Sequence, residues 1–268
     1  MKRIFFLCVL CFTMLTFSFP LVAEEPTVKA DTAILMDGNT LEVLWEKNGD
    51  APMAPASLIK VLNILTAVPY LEMTDHVMVG PLVETIYNGQ MMGLEQGQIL
   101  EASELIYGML LWSANDAAVA MADHLVGDIS FYAKLMDTKA WALGAVHTTS
   151  VNVNGYSDHS QMTTAYDMAI LGAEFLRNDT LADMAKTTSH ELTWLYPSQS
   201  REVNNINKFL FSYEGATGLK TGTTAMAGKC LMASAEREGR TLIAVALNSS
   251  ARYEDCAAMM DYGFQLAE

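Results

Sequence analysis

Apolar runs near both ends of the chain have the short, turn-bounded form of β-strands. Asp37-Gly38-Asn39 separates the first two runs and is typical of a β-hairpin turn. Arg237-Glu238-Gly239-Arg240 separates the last two runs in the same way. The predicted strands are residues 33–36, 41–45, 216–224, 229–236 and 241–248. The strands therefore fall into an early pair and a late group of three.

The middle of the chain has the periodicity of helices. Leu105, Met109 and Trp112 recur at helical spacing, with Glu104 in the first turn. The predicted helices are residues 58–65, a helix from Ser103 onward, and residues 115–126, 129–143, 163–176 and 253–266. Because the early and late strands can share one antiparallel sheet, we expect an α/β fold. In it, a sheet is flanked by helices and carries an inserted helical subdomain.

Composition excludes several classes of protein. The chain has 268 residues, 51% of them hydrophobic and 18% charged, so it holds enough apolar sequence for a packed core. Its net charge of −15 disfavours general binding to nucleic acid or to an anionic membrane surface, because both are negatively charged. We expect one large domain over residues 24–268 and no nucleic-acid partner.

Residues 1–23 have the features of a secretory signal peptide. Lys2 and Arg3 form a basic start, residues 4–19 are mostly apolar, and Ala23 supplies the small residue that signal peptidase requires. The apolar run is shorter than the roughly 20 residues of a spanning helix, and an uncleaved membrane anchor is the alternative. We therefore expect an exported protein, in the periplasm or in the extracellular space and cell wall, with no stable membrane anchor after cleavage.

Two cysteines, Cys230 and Cys256, remain after removal of that segment. Two buried free thiols are the favoured interpretation, and a disulfide bridge is the alternative. No Cys/His spacing matches a zinc site, and no glycine-rich phosphate loop occurs in the sequence. We therefore expect neither a metal nor a cofactor.

Ser57 and Lys60 are the first candidate catalytic pair. Residues i and i+3 share a helix face, so the Lys60 amine can approach the Ser57 hydroxyl. A serine needs a base to become a nucleophile, and a lysine is a base only when burial or a second cation lowers its pKa. Apolar neighbours would supply the burial, and Lys220 the second cation. The alternative is a helix cap at Ser57 with a solvated Lys60.

Ser113-Ala114-Asn115 lies at the predicted junction of two helices. A serine hydroxyl can relay a proton, and an asparagine amide can orient both a lysine and a substrate amide. Capping of the following helix is the alternative. The same pattern recurs at Ser150-Val151-Asn152, but we favour the first copy because it stands at a helix junction.

Lys220-Thr221-Gly222 lies on a predicted strand rich in glycine, which is common where a ligand or a second backbone comes close. Lys220 and the Thr221 hydroxyl can hold a carboxylate, and the backbone N–H of Thr223 can point at a carbonyl oxygen. A peptide can also pair along the edge of such a strand. A surface turn with a solvated lysine is the alternative.

The three motifs occur in the order used by penicillin-recognising serine enzymes. With its flanking residues, the chain resembles serine-type D-alanyl-D-alanine carboxypeptidases, the low-molecular-mass penicillin-binding proteins, over roughly residues 31–264. The matching segments are Pro55-Ala56-Ser57-Leu58-Ile59-Lys60, Leu110-Leu111-Trp112-Ser113-Ala114-Asn115-Asp116-Ala117-Ala118, Asn152-Val153-Asn154-Gly155-Tyr156, His159 to Asp167, and Thr217-Gly218-Leu219-Lys220-Thr221-Gly222-Thr223-Thr224. The resemblance implies the fold of β-lactamases and transpeptidases.

The resemblance also implies a catalytic role for each matching residue, in cleavage between the two terminal D-alanines of a peptidoglycan stem peptide. Ser57 attacks the peptide carbonyl, and Lys60 is the general base. Ser113 passes the proton toward the leaving amine, and Asn115 aligns Lys60 and the substrate amide. Water then hydrolyses the acyl-enzyme.

The substrate-binding residues follow from the same resemblance. Lys220 and Thr221, followed by Gly222, hold the terminal carboxylate. The N–H groups of Ser57 and Thr223 form the oxyanion hole. β-Lactams would acylate the same serine and act as inhibitors.

The chain departs from the family at several points. Ile59 stands where threonine is common, and Ala114 stands where glycine is frequent. The sequence ends shortly after Phe264, so we expect neither the second β-rich domain nor the C-terminal amphipathic anchor that many members carry. A D,D-endopeptidase of crosslinked peptidoglycan and a non-catalytic wall-peptide-binding module are the alternatives. A β-lactamase is disfavoured because the loop region holds no Glu-x-x-Leu-Asn segment.

Overall fold

A five-stranded antiparallel sheet organises the computed structural model, which describes residues 24–266. Its strands are β1 (Thr32–Asp37), β2 (Val43–Lys47), β7 (Ala216–Thr224), β8 (Gly228–Arg237) and β9 (Arg240–Leu247). The order across the sheet is β2-β1-β9-β8-β7, so the first and last strands of the chain are neighbours. The predicted signal peptide, residues 1–23, lies outside the described residues.

Two-residue periodicity gives the sheet two apolar faces. In the β1–β9 pair, Ile34 lies opposite Val245 and both belong to the larger hydrophobic core. The neighbouring pair, Leu35 and Ala244, belongs to the smaller core on the other face. Every residue of β1 is buried, which is expected for a central strand covered by helices on both faces.

Eight α-helices surround and interrupt this sheet in the described part of the chain. They are α1 (Ile59–Ala67), α2 (Ala102–Tyr107), α3 (Asn115–Val126), α4 (Ile129–Ala142), α5 (Ala165–Leu176), α6 (Asp179–Ala185), α7 (Phe209–Ser212) and α8 (Arg252–Gln265). Helix α8 packs on the face of the smaller core, and α5 packs on the face of the larger one. Helices α2 to α4 come between β2 and β7, which confirms the predicted helical insertion.

Short 3₁₀ and π segments connect several of these elements. The 3₁₀ turns are Ala56–Leu58, Val68–Tyr70 and Pro81–Thr85, and a π-helical segment covers Gly108–Trp112. The first of these turns leads directly into α1, and the π-helical segment follows α2 without a break. Both irregular segments border residues of the candidate site.

Two small hairpins complete the described fold. One pairs β3 (His76–Met78) with β4 (Ile99–Glu101), and the other pairs β5 (Ser189–Trp194) with β6 (Gln199–Asn204). The sequence pattern assigned no element to residues 177–215, so it missed α6, α7 and the second hairpin. Most residues of that hairpin are exposed and polar, so the alternation that marks a half-buried strand is weak there.

Cys230 and Cys256 are buried free thiols in the structure. Burial raises the pKa of both, to about 11 for Cys230. Among the described residues, no helix combines the length and apolar character needed to cross a bilayer.

Candidate active site

A cleft of about 1000 Å³ opens between the helical insertion and the edge strand β7. All three motifs contribute to its wall: Ser57 from the first, Ser113 and Asn115 from the second, and the 221–224 end of β7 from the third. Lys60 and Lys220 are fully buried behind this wall. The structure therefore brings together every residue that the sequence analysis placed in the site.

Ser57 lies in the 3₁₀ turn Ala56–Leu58 that leads into α1. Lys60, one helical turn later, is 0% exposed, and its Nζ lies 3.0 Å from Ser57 Oγ. The apolar residues around Lys60 in α1 are also buried, so no exposed face of this helix brings the amine into contact with solvent. The alternative of a solvated Lys60 beside a capping Ser57 is therefore wrong.

The surroundings of Lys60 Nζ suit a neutral amine. Its two other partners are Asn115 Oδ1, at 2.8 Å, and the backbone carbonyl of Asn154. A neutral amine can donate one hydrogen bond to each of these two oxygens and direct its lone pair toward the Ser57 hydroxyl. Burial, and then the charge of Lys220, lower the pKa of Lys60 well below its ordinary value, whereas Asp116 acts in the opposite direction. Lys60 can therefore accept the proton of Ser57.

Ser113 ends the π-helical segment in a left-handed conformation, with φ 61° and ψ 32°. This conformation turns the chain sharply before α3, so that Ser113 and Asn115 both reach the cleft. Helix α3 begins at Asn115 with Asp116 in its first turn, as the capping alternative expected, but its cap residue is Ala114, which makes no side-chain capping bond. Helix capping therefore does not account for the Asn115 side chain, which bonds elsewhere. The Asn115 amide is oriented by its bonds to Lys60 Nζ and to the Asn88 carbonyl, which accepts from Nδ2 at 3.2 Å.

Asp116 is a buried residue beside the site, and its sequence pattern predicts no chemical role for it. Its carboxylate accepts hydrogen bonds from the backbone N–H groups of Met92, Gly93 and Leu94. These bonds fasten the loop 88–94, part of which forms one wall of the cleft, to the start of α3. From the sequence alone, an acidic residue in the first turn of a helix indicates only a favourable interaction with the helix dipole.

Strand β7 carries the second buried lysine. Lys220 is 0% exposed and donates from Nζ to the Thr221 carbonyl at 2.9 Å. Burial and the nearby charge of Arg252 lower the pKa of Lys220 to about 7. The alternative of a solvated lysine on a surface turn is therefore wrong here as well.

Two glycines allow the backbone to close around Ser57. A β-carbon on Gly222 would lie 2.9 Å from Ala56 Cβ and 3.0 Å from Ser57 N, so β7 passes directly against the nucleophile turn. A β-carbon on Gly155 would collide with the Ala56 carbonyl and lie 2.8 Å from Ser57 N. Gly155 also has a φ of +91°, a conformation that L-residues rarely adopt.

Arg252, at the start of α8, is a cleft residue that the sequence analysis missed. Its Nη1 donates to the carbonyls of Gly222 and Cys230 and to Thr223 Oγ1, at 2.9 to 3.1 Å. These hydrogen bonds fix the end of β7, and the guanidinium group adds positive charge near Lys220. A single arginine at the start of a predicted helix carries no sequence signal for this role.

Two further positions discussed from the sequence lie away from the cleft. Ile59 is fully buried and is not part of the cleft wall. Ser150, in the second Ser-x-Asn copy, is also buried, and its backbone N–H donates to Asp137. In that copy, Asn152 Oδ1 accepts from Gly155 N at 2.8 Å, so it supports the turn behind Ser57.

The chain is similar to known proteins in both sequence and overall structure. A family model described as D-alanyl-D-alanine carboxypeptidase matches residues 20–251. The chain is 29% identical over 290 residues to the carboxypeptidase DacF of Bacillus subtilis, covering 100% of this chain and 72% of that protein. It is 32% identical to DacC of Escherichia coli, covering 96% of this chain and 66% of that protein. An S216A mutant of the Streptomyces K15 DD-transpeptidase superposes with a TM-score of 0.85 at 26% identity, over 90% of this chain and 99% of that one.

Proposed function

The chain belongs to the D-alanyl-D-alanine carboxypeptidase family, and on this premise we propose that it releases the terminal D-alanine of peptidoglycan stem peptides through an acyl-enzyme on Ser57. The observation that carries the proposal is the buried Lys60 amine, 3.0 Å from Ser57 Oγ, with a lowered pKa. Without such a base at this distance, a serine hydroxyl is a poor nucleophile at neutral pH.

The substrate binds as an extended peptide along the edge of β7 that is unpaired in the described part of the chain, since β7 is the terminal strand of the sheet. Its terminal carboxylate lies beside Thr221 and the Lys220 ammonium. The whole chain is acidic, yet three cations, Lys208, Lys229 and Arg252, line the cleft against one carboxylate in its described wall, Glu254. The local field therefore favours an anionic peptide end, and screening limits repulsion from distant carboxylates to about 10 Å at ordinary salt.

Acylation transfers one proton as one bond forms. Ser57 Oγ bonds to the carbonyl carbon while its proton passes to Lys60 Nζ. The developing oxyanion accepts hydrogen bonds from the backbone N–H groups of Ser57 and Thr223. The close passage of Gly222 against Ser57 N supports this placement, because Thr223 directly follows Gly222 on β7 and its backbone therefore lies near that of Ser57.

Collapse of the tetrahedral intermediate breaks the carbon–nitrogen bond. The leaving amine takes the proton from Lys60 through the Ser113 hydroxyl, and D-alanine departs. Asn115 keeps Lys60 aligned during this transfer, because its Oδ1 accepts a hydrogen bond from Lys60 Nζ at 2.8 Å. Water then attacks the ester carbonyl while Lys60 takes a proton from it. The carbon–Oγ bond breaks, and Ser57 Oγ takes that proton back from Lys60, which restores the hydroxyl and the neutral amine. A β-lactam follows the acylation steps, but its leaving group stays tethered and deacylation is slow.

We place this activity outside the cytoplasm, in the periplasm or at the cell wall, because peptidoglycan is found there. Residues 1–23 support export through their signal-peptide pattern. Expression of the full chain in a secreting bacterium, followed by N-terminal sequencing of the exported protein, tests this placement. A first residue near Glu24 is expected, and retention of the whole N-terminus in the membrane fraction would contradict it.

The activity is tested by labelling and by product release. Fluorescent penicillin is expected to label the wild-type protein, and a pentapeptide ending in D-Ala-D-Ala is expected to lose one D-alanine. Ser57→Ala is expected to abolish both signals with an unchanged circular dichroism spectrum. Ser157→Ala, which alters another serine of the same cleft, is the matched control and is expected to retain both.

Three outcomes would count against the proposal. Persistent labelling of Ser57→Ala would remove Ser57 from the nucleophile role. Saturable binding of the pentapeptide by the wild-type protein without any D-alanine released would favour a non-catalytic binding module. Cleavage of a crosslinked dimer with no cleavage of the pentapeptide, identified by product mass, would favour the D,D-endopeptidase.

A further inference from the structure

The segment 205–208 forms a fixed wall of the cleft. Asn205 and Asn207 are buried, and their side-chain oxygens accept from the backbone N–H groups of Asn207 and Phe209 at 2.9 and 3.2 Å. Asn205 Nδ2 also donates to the Thr187 carbonyl. The alternate residues, Ile206 and Lys208, face the cleft instead. Two buried asparagines therefore hold these two side chains in place.

This wall joins two elements that, on the proposed mechanism, lie on either side of the released residue. Ile206 N donates to the carbonyl of Leu111, two residues before Ser113. Lys208 is the cap residue of α7, and α7 packs against β7. The segment thus runs from the Ser113 turn to the strand that holds the terminal carboxylate. On the proposed mechanism, the leaving residue occupies the gap between these two elements.

The side-chain amine of Lys208 has no partner in the described part of the protein. Its side chain is exposed, and among residues 24–266 it makes neither an ion pair nor a hydrogen bond through Nζ. By contrast, Arg252 and Lys220 are already engaged with protein carbonyls. Lys208 is therefore a cation of this wall that is available to a ligand carboxylate.

We propose that Ile206 and Lys208 form the subsite for the side chain of the released residue. In this subsite Lys208 selects leaving residues with a carboxylate at the end of that side chain. Ile206 supplies an apolar surface for the first carbons of the side chain, and the ammonium group meets the distal charge. To the D-alanine-terminated peptides of the proposed function, the subsite adds a second class of substrate: peptides whose last residue is a D-configured dicarboxylic amino acid. This inference rests on the proposed function and adds a specificity to it.

The test compares three peptides that differ only in the last residue: D-Ala-D-Glu, its neutral isostere D-Ala-D-Gln, and D-Ala-D-Ala. For the wild-type protein, kcat/KM is expected to be about threefold higher for D-Glu than for D-Gln, the size expected for one exposed charge pair. Lys208→Gln is expected to bring this ratio to about one, and Lys208→Glu to invert it. Raising the salt concentration is expected to reduce the wild-type preference.

Lys229→Glu is the matched control, because Lys229 is an exposed lysine of the same cleft without an ion pair among residues 24–266. It is expected to leave the D-Glu to D-Gln ratio close to the wild-type value. A wild-type ratio of one, a ratio that Lys208→Glu does not change, or an equal change in Lys229→Glu would overturn the subsite. Release of D-alanine from D-Ala-D-Ala in the same experiment would show that the proposed function still stands. Absence of both D-alanine release and penicillin labelling in the wild-type protein would overturn the function and the subsite together.

Discussion

Burial together with the charge of Lys220 on strand β7 lowers the pKa of the Lys60 amine on helix α1, although the two lysines lie 160 positions apart in the chain. Burial makes the larger contribution, and Asp116 opposes both. Protonating two buried amines in one site is unfavourable, because their positive charges repel each other. The pair therefore favours a neutral Lys60 beside a charged Lys220. This division gives one lysine the role of base and the other the role of carboxylate holder.

The first prediction concerns the base. Lys220→Ala removes the neighbouring positive charge, so the pKa of Lys60 rises and the rising limb of the pH–rate profile moves to higher pH. The second-order rate of acylation by penicillin is also expected to fall on the order of 100-fold, because the carboxylate loses a charged partner. Stopped-flow acylation between pH 5 and 10 measures both effects. Lys229→Ala, an exposed lysine of the same cleft, is expected to shift neither.

The second prediction concerns the falling limb of the profile. Lys220 has a pKa of about 7 in the free protein, so it loses its charge, and its attraction for the substrate carboxylate, as the pH rises through that value. We expect kcat/KM to decline above about pH 7, and kcat to decline less, because a bound carboxylate raises the pKa of Lys220. Lys220→Arg keeps its charge at all these pH values. Any activity that it retains is expected to lack the decline, and an identical decline in this variant would assign it to another group.

A third prediction links Lys220 to stability. Its folded pKa of about 7 lies below the ordinary value of 10.5, so between these values the unfolded chain holds a proton that the folded protein has lost. The free energy of unfolding therefore rises with pH across this window, and the penalty is fully present below about pH 7. Lys220→Met replaces the buried amine by an apolar chain of similar length.

Lys220→Met is expected to raise the free energy of unfolding by about 2 kcal/mol at pH 6, with a gain that shrinks toward pH 10. Urea unfolding of both proteins at several pH values measures the difference between them, which cancels the titration of groups that do not sense the charge of Lys220. Lys60 does sense it, and its pKa rises in Lys220→Met, which changes the difference in the same direction. Lys229→Met serves as the control, and no pH-dependent difference is expected for this exposed position. If the difference in unfolding free energy stayed constant or grew with pH, it would not come from the titration of Lys220.

A fourth prediction concerns the turn behind the nucleophile. Gly155→Ala is expected to abolish penicillin labelling and to lower the free energy of unfolding by about 3 kcal/mol, because its β-carbon meets the backbone at Ala56 and Ser57. Gly93→Ala is matched in backbone conformation, with φ +79° against +91°, but its β-carbon meets no atom within 4 Å. It is expected to cost about 1 kcal/mol and to keep the label. If both variants lost the same amount of stability and labelling, the effect would come from backbone strain alone and not from contact with the Ser57 turn.

Much of the scaffold could be predicted because its pattern is strongly periodic. Helix α3 begins at Asn115 and ends at Val126, and β7 covers Ala216–Thr224, as the pattern predicts. Three motifs in a fixed order identified the candidate catalytic and substrate-binding residues that lie together at the cleft. The hairpin β5–β6 was missed because its exposed strands do not alternate, and the helix from Ser103 gave no sign of the π-helical segment that ends it.

Other parts of the site could not be predicted because they depend on contacts between distant segments. The Asn154 group that accepts from Lys60 is a backbone carbonyl, which carries no residue signature. Arg252 reaches Gly222 only after α8 has packed under the sheet. Asp116 is fixed by three N–H groups of a loop that precedes it in the chain by more than 20 residues. Such partners are visible only in the folded protein.

The central claim is that Lys60 is a neutral amine at the pH at which the protein acts. Heteronuclear NMR of protein with isotope-labelled lysine measures the titration of Lys60 directly at its ε-carbon and ζ-nitrogen, with Lys60→Ala used to assign the signal. A titration midpoint well below 10.5, moving upward in Lys220→Ala, is the predicted result. A midpoint near 10.5 in the wild-type protein, unchanged in Lys220→Ala, would contradict the account.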